Sequence, residues 1–139
     1  MNIDSIQDGI VIDHITAGQG MKLYRLLGLD ELDVSIALIK NVVSRKLGRK
    51  DIIKIDADIP VNIDIIGFVD PGATVNFIRH GELVEKRSIA MPETLTNVIR
   101  CKNPRCITSS EQELAQVFKL TDRVNKVYRC AYCETKWTG

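Results

Sequence analysis

The sequence has few aromatic side chains and no long apolar run. Only 5% of its residues are aromatic, and Trp137 is its single tryptophan. The longest apolar stretches, VSIALI and IDIIGFV, fall far short of the roughly 20 residues that a membrane-spanning helix needs. The N-terminal MNIDSIQDG lacks the basic and then apolar layout of a secretory signal. These absences predict a cytoplasmic protein with no membrane segment.

Neither sign of charge dominates the chain. It carries 19 basic and 18 acidic side chains, a formal net charge of +1. That balance argues against a dedicated nucleic-acid binder and against a polyanionic tail. Residues 93–139 alone carry eight basic and five acidic side chains. This local excess leaves a zinc-ribbon nucleic-acid-binding module open as an alternative function.

Four cysteines are present, and they form two close pairs. Cys101 and Cys106, like Cys130 and Cys133, have the spacing of a short knuckle whose two sulfurs converge on one ion. Four sulfurs close a tetrahedral shell, whereas a catalytic zinc keeps an open position. Because cytoplasmic thiols stay reduced, we predict one structural Zn²⁺ ion. Unrelated buried cysteines are the alternative interpretation.

The stretch AMPETLTN (90–97) predicts a domain boundary, since it combines Pro92 with polar residues. A piece of about 45 residues needs a staple such as a metal, because its own core is too small. We therefore predict a first domain over 1–92 and a small all-β zinc-ribbon domain over 93–139, with two strands between the cysteine pairs. Its predicted core comprises Val98, Ile99, Leu114, Val117, Phe118, Val124, Val127, Tyr128 and Trp137.

The first domain alternates strand-like stretches with one clear helix. GIVIDHIT (9–16) is rich in β-branched residues and predicts a strand. Residues 20–30 place apolar side chains on one helical face, with Gly28 as a left-handed cap. Residues 33–43 and 50–57 predict an antiparallel pair, and residues 73–89 predict a hairpin. Residues 59–72 fit either a strand or a short crossover helix.

With a second helix at 59–72, the order of elements is β-α-β-β-α-β-β. This order resembles a ferredoxin-like antiparallel sheet with two helices on one face. The predicted fold class is therefore α+β, with the small zinc-ribbon domain following the sheet.

Strand parity predicts a polar, cationic face on this sheet. If Ile53 and Val75 face the helices, Lys54 and Asn76 project from the opposite face. Lys86 alternates with its neighbours on the last strand. Such a face suits an anion, although lysines on an exposed sheet are equally expected as solvated side chains. The basic residues Arg45, Lys46, Arg49 and Lys50 are interpreted as a solvated charge run in a turn.

Asp13 and His14 are adjacent residues in the first predicted strand. Adjacent residues of a regular strand point to opposite faces, so both reach one ligand only where the strand twists or ends. Ammonium groups, a carboxylate and a histidine together suit a nucleotide. No Walker loop or GxGxxG is present, so the usual glycine-rich cradle is missing. A structural Asp–His pair is the alternative interpretation.

Five segments in order across the chain carry a resemblance: GIVIDHI, GRKDIIKID, ATVNFI, MPETLTNVIRCKNPRC and CAYCE. They resemble the regulatory-chain family of aspartate carbamoyltransferase. The resemblance implies a non-catalytic subunit of pyrimidine biosynthesis, which binds CTP, UTP or ATP in its first domain and pairs with a second copy. It implies further that the zinc domain docks on the catalytic chain, and it implies no nucleic-acid partner.

The resemblance also implies site residues. The implied nucleotide contacts are Asp13, His14, Lys54, Asn76, Ile78 and Lys86, with Ile3, Asp4 and Ile6 in the N-terminal segment that touches base and ribose. The implied contacts with the catalytic chain are Asn103, Arg105 and Glu134. The family often has an aromatic residue where Gly81 stands here, so this side-chain contact is missing and the resemblance does not fix the base selectivity.

Overall fold

The computed structural model describes residues 6–45 and 48–138. The chain divides into two compact units between Ala90 and Met91. Each unit contains one antiparallel sheet. Within the described residues, no helix has the length and apolar character to cross a membrane.

The sheet of the first unit has the order β2-β3-β1-β4-β5, and every neighbouring pair is antiparallel. Its strands are β1 (Gly9–Thr16), β2 (Ile36–Ser44), β3 (Gly48–Ile55), β4 (Thr74–Arg79) and β5 (Glu82–Ser88). Helix α1 (Gly20–Leu26) follows β1, a 3-10 turn (Leu29–Glu31) follows α1, and helix α2 (Ile63–Val69) follows β3. The predicted order of elements and the ferredoxin-like sheet are confirmed. The last predicted strand, β5, lies at the edge of the sheet beside β4.

One face of this sheet carries the core of the first unit. Ile12, Ile53 and Val75 come from three adjacent strands and are fully buried. They belong to one apolar cluster with Leu23 of α1 and Ile66 of α2. Both helices therefore cover this face, and neither covers the opposite face of the sheet.

Helix α2 decides between the two structures that residues 59–72 allow. Asn62 precedes the helix with extended backbone, and its side chain accepts hydrogen bonds from the backbone N–H groups of Asp64 and Ile65. This is an N-terminal cap. Asp64 adds a carboxylate to the first turn, where the helix dipole favours negative charge. Capping therefore outweighs the β-branched residues that favour a strand.

Two predicted turns depend on left-handed backbone. Gly28 has φ of 70° directly before the 3-10 turn, so the predicted left-handed cap is confirmed. The β4–β5 hairpin turns at His80 and Gly81, whose φ values are 53° and 76°. Two successive positive φ values are typical of the two-residue hairpin turn that matches strand twist.

The second unit has a three-stranded sheet of order β6-β7-β8. Its elements are β6 (Thr94–Thr96), a single-turn helix α3 (Ile107–Ser110), β7 (Val117–Asp122) and β8 (Val127–Cys130). Strands β7 and β8 are the two predicted between the cysteine pairs. The three-residue strand β6 and the four-residue helix α3 are too short to have a periodic pattern, so the sequence does not predict them.

The core of the second unit includes Ile99, Phe118 and Tyr128, as predicted. The prediction for Val124 is wrong, because its side chain is 89% exposed. Val124 lies in the turn after β7, where the backbone N–H of Asn125 donates to the Asp122 side chain. Leu95 of the short strand β6 is buried instead.

Candidate functional site

A row of four directly paired residues crosses the first sheet. Lys54 pairs with Val11, Val11 with Asn76, and Asn76 with Lys86. Directly paired residues share a face, and neighbouring strands lie about 4.8 Å apart. The two lysine Cα atoms therefore lie about 14 Å apart, with Val11 and Asn76 between them. This is the face opposite the helices.

A cavity of about 450 Å³ lies on that face. It brings together five of the sequence-predicted residues and adds three apolar ones: Val11, Asp13, Ile52, Lys54, Asn76, Ile78, Leu83 and Lys86. His14 does not line the cavity. Ile6 is 5% exposed, and Ile3 and Asp4 lie outside the described residues. The cavity thus combines cationic side chains with an apolar floor.

Strand β1 is irregular where it carries Asp13 and His14. Its register with β3 shifts between Ile12 and Ile15, and His14 has φ of 57°. The backbone N–H of His14 donates to Asp13 Oδ1 at 2.6 Å, and His14 Nδ1 lies 3.0 Å from Thr74 Oγ1. The bulge thus breaks the strict alternation of side chains, in the way that bulges re-aim residues beside functional sites.

Asp13 forms an ion pair that the sequence does not predict. Lys50 Nζ lies 2.9 Å from Asp13 Oδ1, and the two side chains are 16% and 22% exposed. The interpretation of Lys50 as solvated is therefore wrong. Partial burial of Asp13 opposes its charge, but the Lys50 hydrogen bond, the His14 N–H and the nearby positive charges outweigh burial and lower the pKa of Asp13.

Asp51 holds the backbone beside this ion pair. Its side chain is fully buried and accepts N–H groups of Gly18 and Gly20, at 3.0 and 2.9 Å, and of Asn41 at 2.9 Å. A buried carboxylate is tolerated because these donors compensate its lost hydration. Asp51 thereby ties the loop after β1 to strand β2, directly next to Lys50 in β3.

The four cysteines of the second unit gather at one point. Cys101 Sγ lies 3.6 Å from Cys133 Sγ, and Cys106 Sγ lies 3.7 Å from Cys130 Sγ. All four sulfurs lie within 4.8 Å of one another. A tetrahedron with metal–sulfur bonds of about 2.3 Å has sulfur–sulfur edges of about 3.8 Å. The cluster therefore fits one tetrahedral ion.

The sulfur environments differ. Cys106 and Cys130 are buried, whereas Cys101 and Cys133 are partly exposed. Burial raises the pKa of Cys101 to about 12. A hydrogen bond with the Thr135 side chain lowers the pKa of Cys133 to about 6, with help from the Thr135 backbone and from Asn103.

Two loops surround the cluster and expose the predicted interface residues. In the first loop, Asn103 is half-buried and Arg105 exposed; in the second, Glu134 is exposed and has φ of 64°. Two exposed apolar side chains beside these loops are not singled out by the sequence. Ile107 follows Cys106 and is 52% exposed, and Tyr132 precedes Cys133 and is 43% exposed.

Two family models match the chain. The model for the aspartate carbamoyltransferase regulatory chain, allosteric domain, matches residues 1–90. The model for the metal binding domain of the same regulatory chain matches residues 93–139. Together with the cysteine cluster, the second match supports a structural metal ion in the second unit.

Curated relatives carry the same description over nearly the whole chain. The aspartate carbamoyltransferase regulatory chain of Clostridium botulinum strain Hall is 48% identical over 139 residues, covering 100% of this chain and 95% of that one. The chain of that name from Clostridium tetani is 47% identical over 96% of this chain and 94% of the relative. The one from Bifidobacterium longum is 43% identical over 96% of both chains.

The two models and these relatives describe a regulatory chain, which confirms that the catalyst is a different chain. The matches span both units, as the five sequence motifs do. The chain belongs to the family of aspartate carbamoyltransferase regulatory chains.

Proposed function

We propose that the first unit binds a nucleoside triphosphate effector, CTP, UTP or ATP, on the open face of its sheet. The observation that carries this proposal is the paired row that includes Lys54, Asn76 and Lys86. Lysine ammonium groups are flexible point charges that bind phosphate. Entering from both sides of the cavity, they can converge on one polyphosphate.

Other residues divide the remaining contacts of a nucleotide. Ile78 and the apolar cavity floor suit the nucleobase, since ligand sites are mostly apolar with a few fixed polar groups. Asp13 offers an acceptor to ribose hydroxyls, and His14 offers a donor to phosphate. The N-terminal segment with Ile3, Asp4 and Ile6 completes the base and ribose contacts. At Gly81 no side chain is available to the base.

We infer that the cysteine cluster binds Zn²⁺. Cys101, Cys106, Cys130 and Cys133 supply four sulfurs at distances that fit tetrahedral zinc. A bound zinc ion would contribute folding free energy. The second unit needs this contribution because its core is small. Four thiolates leave no open position for substrate, so the site is structural.

The zinc-held loops are the proposed docking surface for the catalytic chain. Asn103, Arg105 and Glu134 offer polar contacts, and the exposed side chains of Ile107 and Tyr132 offer apolar anchors. Interfaces commonly combine a buried aromatic or aliphatic centre with a polar rim.

A second copy of the chain pairs with the first to form a regulatory dimer. This assembly operates in the cytoplasm, in pyrimidine biosynthesis.

Nucleotide control follows from differential binding. An effector shifts the equilibrium between two states of an assembly only by the difference in its affinity for them. We propose that CTP favours the less active state and ATP the more active one. The regulatory chain then passes this bias to a separate catalytic chain.

Replacing Lys54 tests the nucleotide site. In Lys54→Ala, CTP affinity measured by calorimetry should fall about 10- to 100-fold, the loss expected for one charge-assisted contact. In the assembly with the catalytic chain, CTP should then shift aspartate saturation only at correspondingly higher concentration. Lys22→Ala is the matched control, because Lys22 is an exposed lysine of α1.

Unchanged CTP affinity in Lys54→Ala would contradict the proposed nucleotide site.

The alternative nucleic-acid function is tested on the same chain by filter binding at two salt concentrations. A protein that contacts phosphates weakens steeply as salt rises, and we expect no retained nucleic acid at either concentration.

A further inference from the structure

Thr135 lies between the cysteine cluster and the first cysteine loop. Its Oγ1 atom lies 3.2 Å from Cys133 Sγ and 3.2 Å from Asn103 Nδ2. Asn103 in turn accepts the backbone N–H of Arg105 through Oδ1, at 3.0 Å. A continuous chain of hydrogen bonds therefore runs from Arg105 through Asn103 and Thr135 to Cys133, joining the two loops.

The donors in this chain have only one consistent order once Cys133 is a thiolate. A thiolate has no proton and accepts only, and the Asn103 amide nitrogen donates only. The Thr135 hydroxyl must therefore donate its single proton to Cys133 and accept from Asn103. The hydroxyl then orients both the sulfur and the amide.

Thr108 makes the corresponding contact on the buried side of the cluster. Its hydroxyl donates to Cys106 Sγ at 3.1 Å, and the residue is 1% exposed. Thr135 differs because it is exposed and because its hydroxyl also bonds a loop side chain. Cys101, Asn103 and Thr135 help to line a surface cavity of about 420 Å³. The Thr135 contact thus lies on the side that a partner can reach.

We propose that Thr135 is a positioning residue that couples the metal-bound sulfur of Cys133 to the loop of residues 102–105. One hydroxyl then controls two properties, the retention of the metal and the capture of the catalytic chain. The second property rests on the proposed docking function of that loop. Residues outside the ligand shell that bond a ligand typically change metal affinity 10- to 100-fold when lost.

The test compares Thr135→Val with Thr135→Ser in the full chain loaded with Co²⁺ or Zn²⁺. Valine keeps the shape of threonine without the hydroxyl, and serine restores the hydroxyl. We expect Thr135→Val to transfer zinc to a chromophoric chelator roughly 10-fold faster and to capture less catalytic chain. Its cobalt–thiolate charge-transfer band should move to lower energy, because a hydrogen bond no longer stabilises the sulfur lone pairs.

Thr121→Val is the matched control. Its hydroxyl donates to the Val127 backbone carbonyl at 3.3 Å, so the same substitution is made without touching a cysteine. The control and Thr135→Ser should both match the wild-type chain. Wild-type metal transfer and an unshifted band in Thr135→Val would overturn the proposal.

Two further outcomes separate this inference from the proposed function. A shifted band with unchanged capture of the catalytic chain would overturn the coupling to the loop, while leaving the zinc site intact. A wild-type chain that gave no cobalt–thiolate band would overturn the zinc site itself, and this proposal with it.

Discussion

At the scale of single residues, the ion pair of Lys50 and Asp13 sets the charge at one end of the cavity on the first sheet. The pair is mostly shielded from solvent, so it is stronger than an exposed pair of the same length. Lys50 therefore already occupies one oxygen of the Asp13 carboxylate.

The pKa of Asp13 provides a test of the ion pair. Because this pKa is lowered in the folded chain, the carboxylate stabilises the fold above its unfolded pKa, and that contribution is lost as pH falls through the folded value. Lys50→Met removes the partner charge. We expect the pKa of Asp13 to rise toward its unfolded value, so that the stability contributed by this carboxylate becomes smaller and is fully lost at a higher pH.

Carboxyl ¹³C NMR of Asp13 measures this pKa directly in the wild-type and Lys50→Met chains. Lys22→Met, on helix α1, controls for the removal of a lysine charge elsewhere in the same unit. The ion pair would have no effect in solution if Asp13 titrated identically in all three chains.

Parity along single strands predicts much of this site, because alternation is a local property of the backbone. It places Lys54 and Asn76 opposite the buried Ile53 and Val75. Lys50 is the first residue of the predicted strand 50–57, but it is also interpreted as part of the basic turn, and its partner Asp13 lies on a different strand, β1. Counting back from Lys54 in steps of two reaches Lys50 on the same face, and that count is the signal that would identify it.

At the scale of elements, helix α2 depends on its first residues. IDIIGFV contains several β-branched residues, which slightly disfavour a helix. The Asn62 cap and the Asp64 charge counter that preference at the N-terminus, and burial of Ile66 against the sheet adds the packing that most short helices need. Single-sequence propensity alone leaves the strand and helix alternatives open, since it contains no term for this tertiary packing.

Replacing the cap tests this balance. Asn62→Ala removes the acceptor for two backbone N–H groups and should lower the stability of the first unit by about 1 kcal/mol. Asn62→Asp keeps an acceptor and should stay close to wild type. Urea unfolding followed by far-UV circular dichroism reports the sheet, whereas fluorescence reports the second unit, where the only tryptophan lies.

An equal midpoint for Asn62→Ala and wild type would show that tertiary packing alone holds α2. A loss in Asn62→Asp as large as in Asn62→Ala would instead assign the effect to the amide group, and not to the acceptor oxygen.

At the scale of the whole molecule, the two units are stabilised by different means. Among the described residues of the first unit, eleven buried side chains form a continuous apolar core between its sheet and helices. The second has fewer buried apolar side chains and four clustered sulfurs. In small zinc-dependent domains, structural zinc contributes an apparent folding free energy of roughly 10 to 16 kcal/mol. This exceeds the stability that a core of this size supplies. Loss of the metal should therefore affect the units unequally.

Cys133→Ser tests that inequality. We expect the second unit to unfold, with solvent exposure of Trp137 and loss of catalytic-chain capture, because three sulfurs no longer complete the tetrahedron. The first unit should keep its sheet and its affinity for CTP. Tryptophan emission, circular dichroism and calorimetry measure the exposure of Trp137, the sheet and the CTP affinity on one sample, and co-purification measures capture of the catalytic chain.

Chelation provides the matched comparison for this variant. Stripping metal from the wild-type chain should reproduce the Cys133→Ser behaviour, and returning zinc should restore the wild-type chain but not the variant. Full capture of the catalytic chain by Cys133→Ser would contradict a structural zinc site. Loss of CTP binding together with the second unit would contradict the independence of the first core, and would mean that the metal stabilises the nucleotide site as well.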